Sequence, residues 1–202
     1  MSARAGSISE IILSGVPYLS QLDSTATANA TGCNIGCCQA ASYWMINQKN
    51  NTIVNHNSRV YFEDAVNTSD LTQGVTPLLD ETEFKDVVDY IKTSIKADKP
   101  VLFGTWDNRI KDKYPNNKPN AYNSKPPGSK NSPTTHYMVI VGYGYDKTQK
   151  KYYLLFYDPG RKNSSDGTSL QNKIYIEETT NEITTTVYRG RTYKVTEIRK
   201  NF

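Results

Sequence analysis

The sequence predicts an α+β domain in which a helix packs on an antiparallel β-sheet. Apolar residues recur at helical spacing over residues 37–48 and again over 82–96. After Pro100 the pattern changes to short runs rich in Val, Ile and Tyr, separated by polar turns. Helices first and strands afterwards is the order of an α+β layout, not of alternating βαβ units. The 202 residues show no internal repeat and no linker dividing them into two complete halves. A single domain over 16–202 behind a lead-in of 1–15 is therefore expected, burying roughly 70% of its unfolded surface.

Residues 1–15 read as a loose lead-in. Val16-Pro17-Tyr18-Leu19-Ser20-Gln21 reads as extended, because Pro17 biases Val16 toward β or polyproline geometry. The small, polar stretch 23–36, with Gly32 and Gly36, reads as a loop. Cys37–Gln48 reads as a helix with Ala40, Ala41, Trp44, Met45 and Gln48 on one face, and Trp44 and Met45 are expected in the core. The Asn-rich stretch 49–80 holds at most a short helix near Arg59–Val66. Thr82–Lys96 is the second helix, with Thr82 as its cap and Lys92 and Lys96 in its last turn, where the dipole favours cations. Its apolar stripe is Phe84, Val87, Val88, Ile91 and Ile95. Strands follow at Val101–Trp106, Tyr137–Tyr145, Tyr152–Tyr157, Lys173–Glu177, Thr184–Tyr188 and Tyr193–Ile198, with Arg189-Gly190-Arg191 as a hairpin turn. The Pro-, Asn- and Lys-rich stretch 107–135 has no periodicity, and a loop of that length is expected to border the substrate cleft.

Composition narrows the function classes. The formal net charge of +4 is mild. Lys111, Lys113, Lys118, Lys125 and Lys130 share the long loop without an aromatic-interleaved basic helix, so no nucleic-acid partner is expected. No apolar run is long enough to span a membrane; the longest lie near Tyr137–Val141 and Leu154–Tyr157. Ile11, Ile12 and Leu13 are too short a stretch for a signal peptide. That leaves a cytosolic chain, a trimmed one, or one exported without a cleaved signal. The cysteines, Cys33, Cys37 and Cys38, lie too close together to staple distant segments. A zinc set of Cys33, Cys37, Cys38 and His136 lacks the second paired knuckle, so no metal and no cofactor are expected.

A thiol hydrolase needs a thiolate, an imidazole to shuttle the proton, and donors for the oxyanion of the tetrahedral intermediate. A helix N-terminus favours a thiolate and points free N–H groups at developing negative charge. Cys37 and Cys38 both sit at the expected helix start. Of the two histidines, His56 lies in a polar stretch, whereas His136 opens an apolar strand at the mouth of the long loop. The turn at 146–151 folds the 152–157 strand back, bringing Asp158 within about three positions of His136, roughly 10 Å along the sheet. A β-bulge at Gly142 or Gly144 would close the remainder. Spacing alone does not put both side chains on one face, and Asp158-Pro159-Gly160 also suits a plain turn.

Read together, Val16-Pro17-Tyr18-Leu19-Ser20-Gln21, Cys38-Gln39-Ala40-Ala41-Ser42-Tyr43-Trp44-Met45, Gly104-Thr105-Trp106, His136 through Tyr143, and Tyr157-Asp158-Pro159 form an ordered set. That set resembles papain-like cysteine peptidases of the bacteriocin-leader-peptidase type, and the papain-like effector proteases of plant-pathogenic bacteria, from about position 16 to 160. The resemblance implies a papain-like fold with Cys38 as nucleophile, since only Cys38 has Met45 seven positions on. It implies His136 as general acid and base, Asp158 as the residue orienting the histidine, and Gln21 as an oxyanion donor beside the Cys38 backbone N–H. Two departures stand out. The stretch between Gln21 and Cys38 carries an insertion of roughly ten residues, by this comparison of motifs. Gln39 follows Cys38 where many relatives carry Gly, which makes Gln39 a rival donor. The expected activity is hydrolysis of peptide bonds in a peptide or protein substrate. The alternatives are a peptidoglycan amidase acting on peptidoglycan peptides, and an inactive binding module. An effector or toxin role would add a cognate inhibitor or immunity protein as partner.

Overall fold

The computed structural model describes residues 10–23, 35–51, 58–61, 63–64, 76–77, 79–107, 134, 136–185 and 192–200. Its organising element is a ring of strands: β5 (Val101–Asp107), β6 (His136–Asp146), β7 (Lys151–Tyr157), β8 (Lys173–Glu177), β9 (Glu182–Thr184) and β10 (Tyr193–Lys200). Each pairs antiparallel with the next, and β10 returns to pair with β5, from Tyr193 opposite Asp107 to Arg199 opposite Leu102. The result is a closed six-stranded antiparallel barrel. Two short strands extend it: β1 (Ile11–Ile12), within the expected lead-in, adds to β6, and β2 (Ser58–Tyr61) adds to β10. Glu63–Asp64 and Thr76–Pro77 form a separate pair, β3 and β4.

This corrects the expectation of an α+β, papain-like fold in which a nucleophile helix packs on an antiparallel sheet. The molecule is mostly β, and its sheet closes on itself. Five of the six ring strands were readable one by one, and β9 (Glu182–Thr184) meets the strand expected at Thr184–Tyr188 only at Thr184, with 186–188 outside the described residues. The closing pair β5–β10 was not readable, because pairing of segments so distant in the chain leaves no local periodicity. The short helix expected near Arg59–Val66 is also replaced, by strand at 58–61 and 63–64.

The helices lie against one side of the barrel. Helix α1 (Ile35–Asn50) packs on β6 and β5, and α2 (Glu81–Lys96) on β6, β5 and β1. In α1, Cys38, Ala41, Ser42, Met45 and Ile46 are buried, the i, i+3, i+4, i+7, i+8 stripe of one helical face. The expected face was one position out of register: Met45 is core, but Trp44 is 37% exposed and Gln48 also faces outward. In α2 the stripe Phe84, Val87, Val88, Ile91 and Ile95 is buried as expected. Its cap is Asp80 rather than Thr82. The Asp80 side chain accepts from the Glu83 N–H while Glu83 reaches back to the Asp80 N–H, a reciprocal capping box. A single turn, α3 (Ser164–Gly167), follows β7. Among the described residues no helix is long and apolar enough to cross a membrane.

One irregularity decides what β6 and β7 present to each other. Ile140 opposes Phe156 but Gly142 opposes Leu155, so Val141 is an extra residue in β6. Past this bulge Val139 opposes Tyr157, and the next position of the chain, Asp158, comes level with Met138. Side chains alternate faces with a period of two, so Asp158 falls on the face of Met138 and His136. Without the bulge it would be level with Val139, on the opposite face.

Candidate active site

Cys38 lies in the first turn of α1, on its buried face. The Tyr137 N–H donates to Cys38 Sγ at 3.3 Å, which seats the sulfur against the first residues of β6. His136 is the first residue of β6, opposite Thr105 of β5. Its Nε2 is 2.7 Å from Asp158 Oδ1, with the His136 side chain 14% exposed and that of Asp158 2%. With Nε2 committed to the carboxylate, Nδ1 remains for the sulfur.

The electrostatics of this pair follow from its neighbours. Burial alone pushes the His136 pKa down, but the Asp158 carboxylate and the Cys38 sulfur outweigh it and raise the imidazole to about 10. Burial pushes the Asp158 pKa up, and the His136 ring, the Arg161 guanidinium and the Gly160 N–H overcome it, holding the carboxyl at about 2. Asp158 is thus an ionised acceptor, and His136 is held as a cation beside it.

Asp158 is held by its own turn. Oδ1 accepts from the Gly160 N–H at 2.9 Å, and Oδ2 from Arg161 Nε at 3.0 Å. The segment before α1 clamps this turn from outside. The Tyr18 hydroxyl lies 2.9 Å from the Asp158 carbonyl and 2.6 Å from that of Arg161, and the Gln21 N–H donates to the Pro159 carbonyl at 2.8 Å. Two glycines make the closeness sterically possible. A Cβ on Gly160 would stand 3.1 Å from His136 Cε1 and 3.0 Å from Asp158 Oδ1; one on Gly167 would stand 2.2 Å from the Tyr18 ring.

The fold therefore brings Cys38, His136 and Asp158 together and fastens the Gln21 backbone beside them. Gln21 Oε1 is buried with no hydrogen-bond partner among the described residues. The rival donor, Gln39, is engaged elsewhere. With its amide oxygen toward β10, it accepts from the two terminal nitrogens of Arg199 at 2.6 and 2.7 Å and from the Tyr43 hydroxyl at 3.1 Å. Cys33, His56 and most of the long loop lie outside the described residues. Cys37 belongs to α1 by its backbone. Among the described residues no group of three metal-ligand side chains stands close enough to hold an ion.

Sequence reasoning missed Tyr18, Gly160, Arg161 and Gly167 as supports of the site. Tyr18 and Gly160 sat inside quoted motifs without a role, and Arg161 directly follows the Asp-Pro-Gly turn. Gly167 carries no sequence signal, because only the Tyr18 ring packed on it makes it matter.

A family model described as the Peptidase_C39 like family matches residues 13–188. No curated protein and no solved structure matches the chain.

Proposed function

The chain belongs to the Peptidase_C39 like family, a relationship that points to a hydrolase of the cysteine-peptidase type acting on a peptide substrate, and on that premise we propose that it cleaves peptide bonds through Cys38, His136 and Asp158. The observation that carries this reading is the 2.7 Å bond from His136 Nε2 to the buried Asp158 carboxylate. It leaves the other ring nitrogen for a thiol seated on the neighbouring residue of the same strand.

In this reading the Cys38 thiolate attacks the scissile carbonyl carbon, and the carbonyl π electrons move onto oxygen. The Cys38 backbone N–H at the start of α1 and the side-chain amide of Gln21 stabilise that oxyanion. Collapse of the intermediate breaks the C–N bond, and the His136 imidazolium gives its proton to the departing amine. The acyl group is left on sulfur as a thioester. Water then attacks the thioester while neutral His136 takes its proton, and the carboxylic product leaves as thiolate and imidazolium re-form. Asp158 holds the ring in one orientation and stabilises its cation throughout.

The test is turnover of a peptide library by the purified protein, with Cys38→Ala as comparison and Cys33→Ala and Cys37→Ala as controls. Loss of all cleavage in Cys38→Ala alone is expected, together with trapping of an acyl group on Cys38 in acid-quenched wild type. Cleavage that persists in Cys38→Ala would end this reading.

A further inference from the structure

Among the buried polar groups that the proposed chemistry leaves unused are Glu197 and Arg199 on β10, which meet Tyr137 of β6 and the half-buried Tyr43 and Gln39 of α1. Glu197 is 1% exposed and Arg199 4%. A charge pair this deep is costly to desolvate and contributes little net stability on average, so its presence calls for another reason. The contacts of the guanidinium supply one. Its Nε donates to Glu197 Oε1 at 3.0 Å, its two terminal nitrogens donate to the Tyr43 and Tyr137 hydroxyls, the latter at 2.8 Å, and both also meet the Gln39 amide oxygen. Gln39 is the residue after Cys38, and Tyr137 is the residue after His136. One planar, rigid fork thus grips the immediate chain neighbours of both groups that must exchange a proton. Tyr137 closes the circle, because its N–H also donates to Cys38 Sγ.

We propose that Arg199 is a positioning residue that fixes the separation of Cys38 and His136 by tying α1 to β6 across β10. This rests on the reading of those two residues as nucleophile and base. Arg199 lies on β10, outside residues 13–188, the span that the family model matches. β10 delivers the tether from its place beside β5, where the barrel closes. Glu197 offsets the buried charge and orients the fork. Gly104 leaves room for the stem of the Glu197 side chain: a Cβ there would stand 2.8 Å from Glu197 Cγ. A lysine could supply the charge at position 199 but not the fork, since an ammonium does not present several coplanar donors at once.

The experiment compares wild type with Arg199→Lys, Arg199→Met and Tyr137→Phe. Two readouts are used: the rate of Cys38 carboxymethylation by iodoacetate against pH, and kcat on a cleavable peptide. Thermal stability is recorded for each variant. A misplaced thiol–imidazole pair loses rate steeply, so Arg199→Met is expected to lose about tenfold or more in kcat. The pH profile of its alkylation should move toward that of a thiol without an imidazolium, as in His136→Ala. Arg199→Lys should fall between. A folded Arg199→Met with the wild-type alkylation profile and kcat would overturn the proposal. Should Arg199→Met fail to fold, Tyr137→Phe removes one hydroxyl only, and a wild-type profile there would overturn it equally. The alkylation readout needs no peptide cleavage. If Cys38→Ala still cleaves peptide, the functional reading fails; if Cys38→Ala is dead and Arg199→Met keeps the wild-type profile, only this inference fails.

Discussion

Two arginines flank the site and support it in opposite ways. Arg161 holds the Asp158 carboxylate from three residues along the same turn, and the Gly160 N–H binds it from two. Arg199 reaches Tyr137 and Tyr43 across 62 and 156 residues of chain. The first support is built by a local turn and needs only that turn to form. The second exists only once the barrel has closed. The acid end of the site should therefore tolerate loss of any single contact, because several short-range donors share the carboxylate. The thiol end should not, because one guanidinium carries several long-range contacts.

The largest effect that sharpens this contrast lies where the two ends meet. His136→Ala should reduce peptide turnover by about a thousandfold or more, since in the proposed mechanism His136 moves the proton in both half-reactions. Steady-state kinetics on the library-derived peptide measure it, and a loss below tenfold would place the base elsewhere. Asp158→Asn should lose less, about tenfold to a hundredfold, because an amide oxygen still accepts from the ring and a thiol is a stronger acid than a hydroxyl. At the clamp, Gly167→Ala forces the Tyr18 ring from the position that overlaps the new methyl, at a cost of about 1–3 kcal/mol. Chemical denaturation checks it, and an unchanged midpoint would mean that Tyr18 does not press on the turn. Arg161→Met should lower turnover only about threefold, since the carboxylate keeps the His136 and Gly160 donors. A loss as large as that of Arg199→Met would break the contrast between the two arginines.

A separate check is stability against pH. The imidazole of His136 is raised from 6.5 to about 10 in the folded state. Its contribution is fully present below pH 6.5 and is lost as pH rises through about 10. Asp158 is depressed from 3.8 to about 2, so its contribution is present above pH 3.8 and is lost as pH falls through about 2. Melting temperatures of wild type and His136→Ala should therefore differ most between these limits and converge toward pH 10. A difference that stays constant to high pH would contradict the charged pair.

How much was legible in the sequence differs between the same two regions. The Asp-Pro-Gly turn, the strand opening at His136 and the Cys38–Met45 spacing are local patterns, and the fold brings all three to one place. The α2 stripe was readable because five apolar residues at helical spacing leave one face to bury. The α1 stripe was misread by one position, because Ala40 and Trp44 share its period while Ser42 and Ile46 complete the true one. Nothing in the chain announced Arg199, one of two adjacent cations at the end of a strand.

By itself, then, the sequence determined the two long helices and most of the barrel strands, and offered a thiol, an imidazole and a carboxylate as candidates to act together, because side-chain periodicity and turn chemistry operate over a few residues. Only the tertiary structure decided that the sheet closes into a barrel and that Val141 bulges to turn Asp158 onto the His136 face. It alone decided that Arg199 reaches under both ends of the proposed Cys–His pair. Each of these depends on the register between segments far apart in the chain, and register is set by the summed packing and hydrogen bonding of whole strands rather than by any one residue.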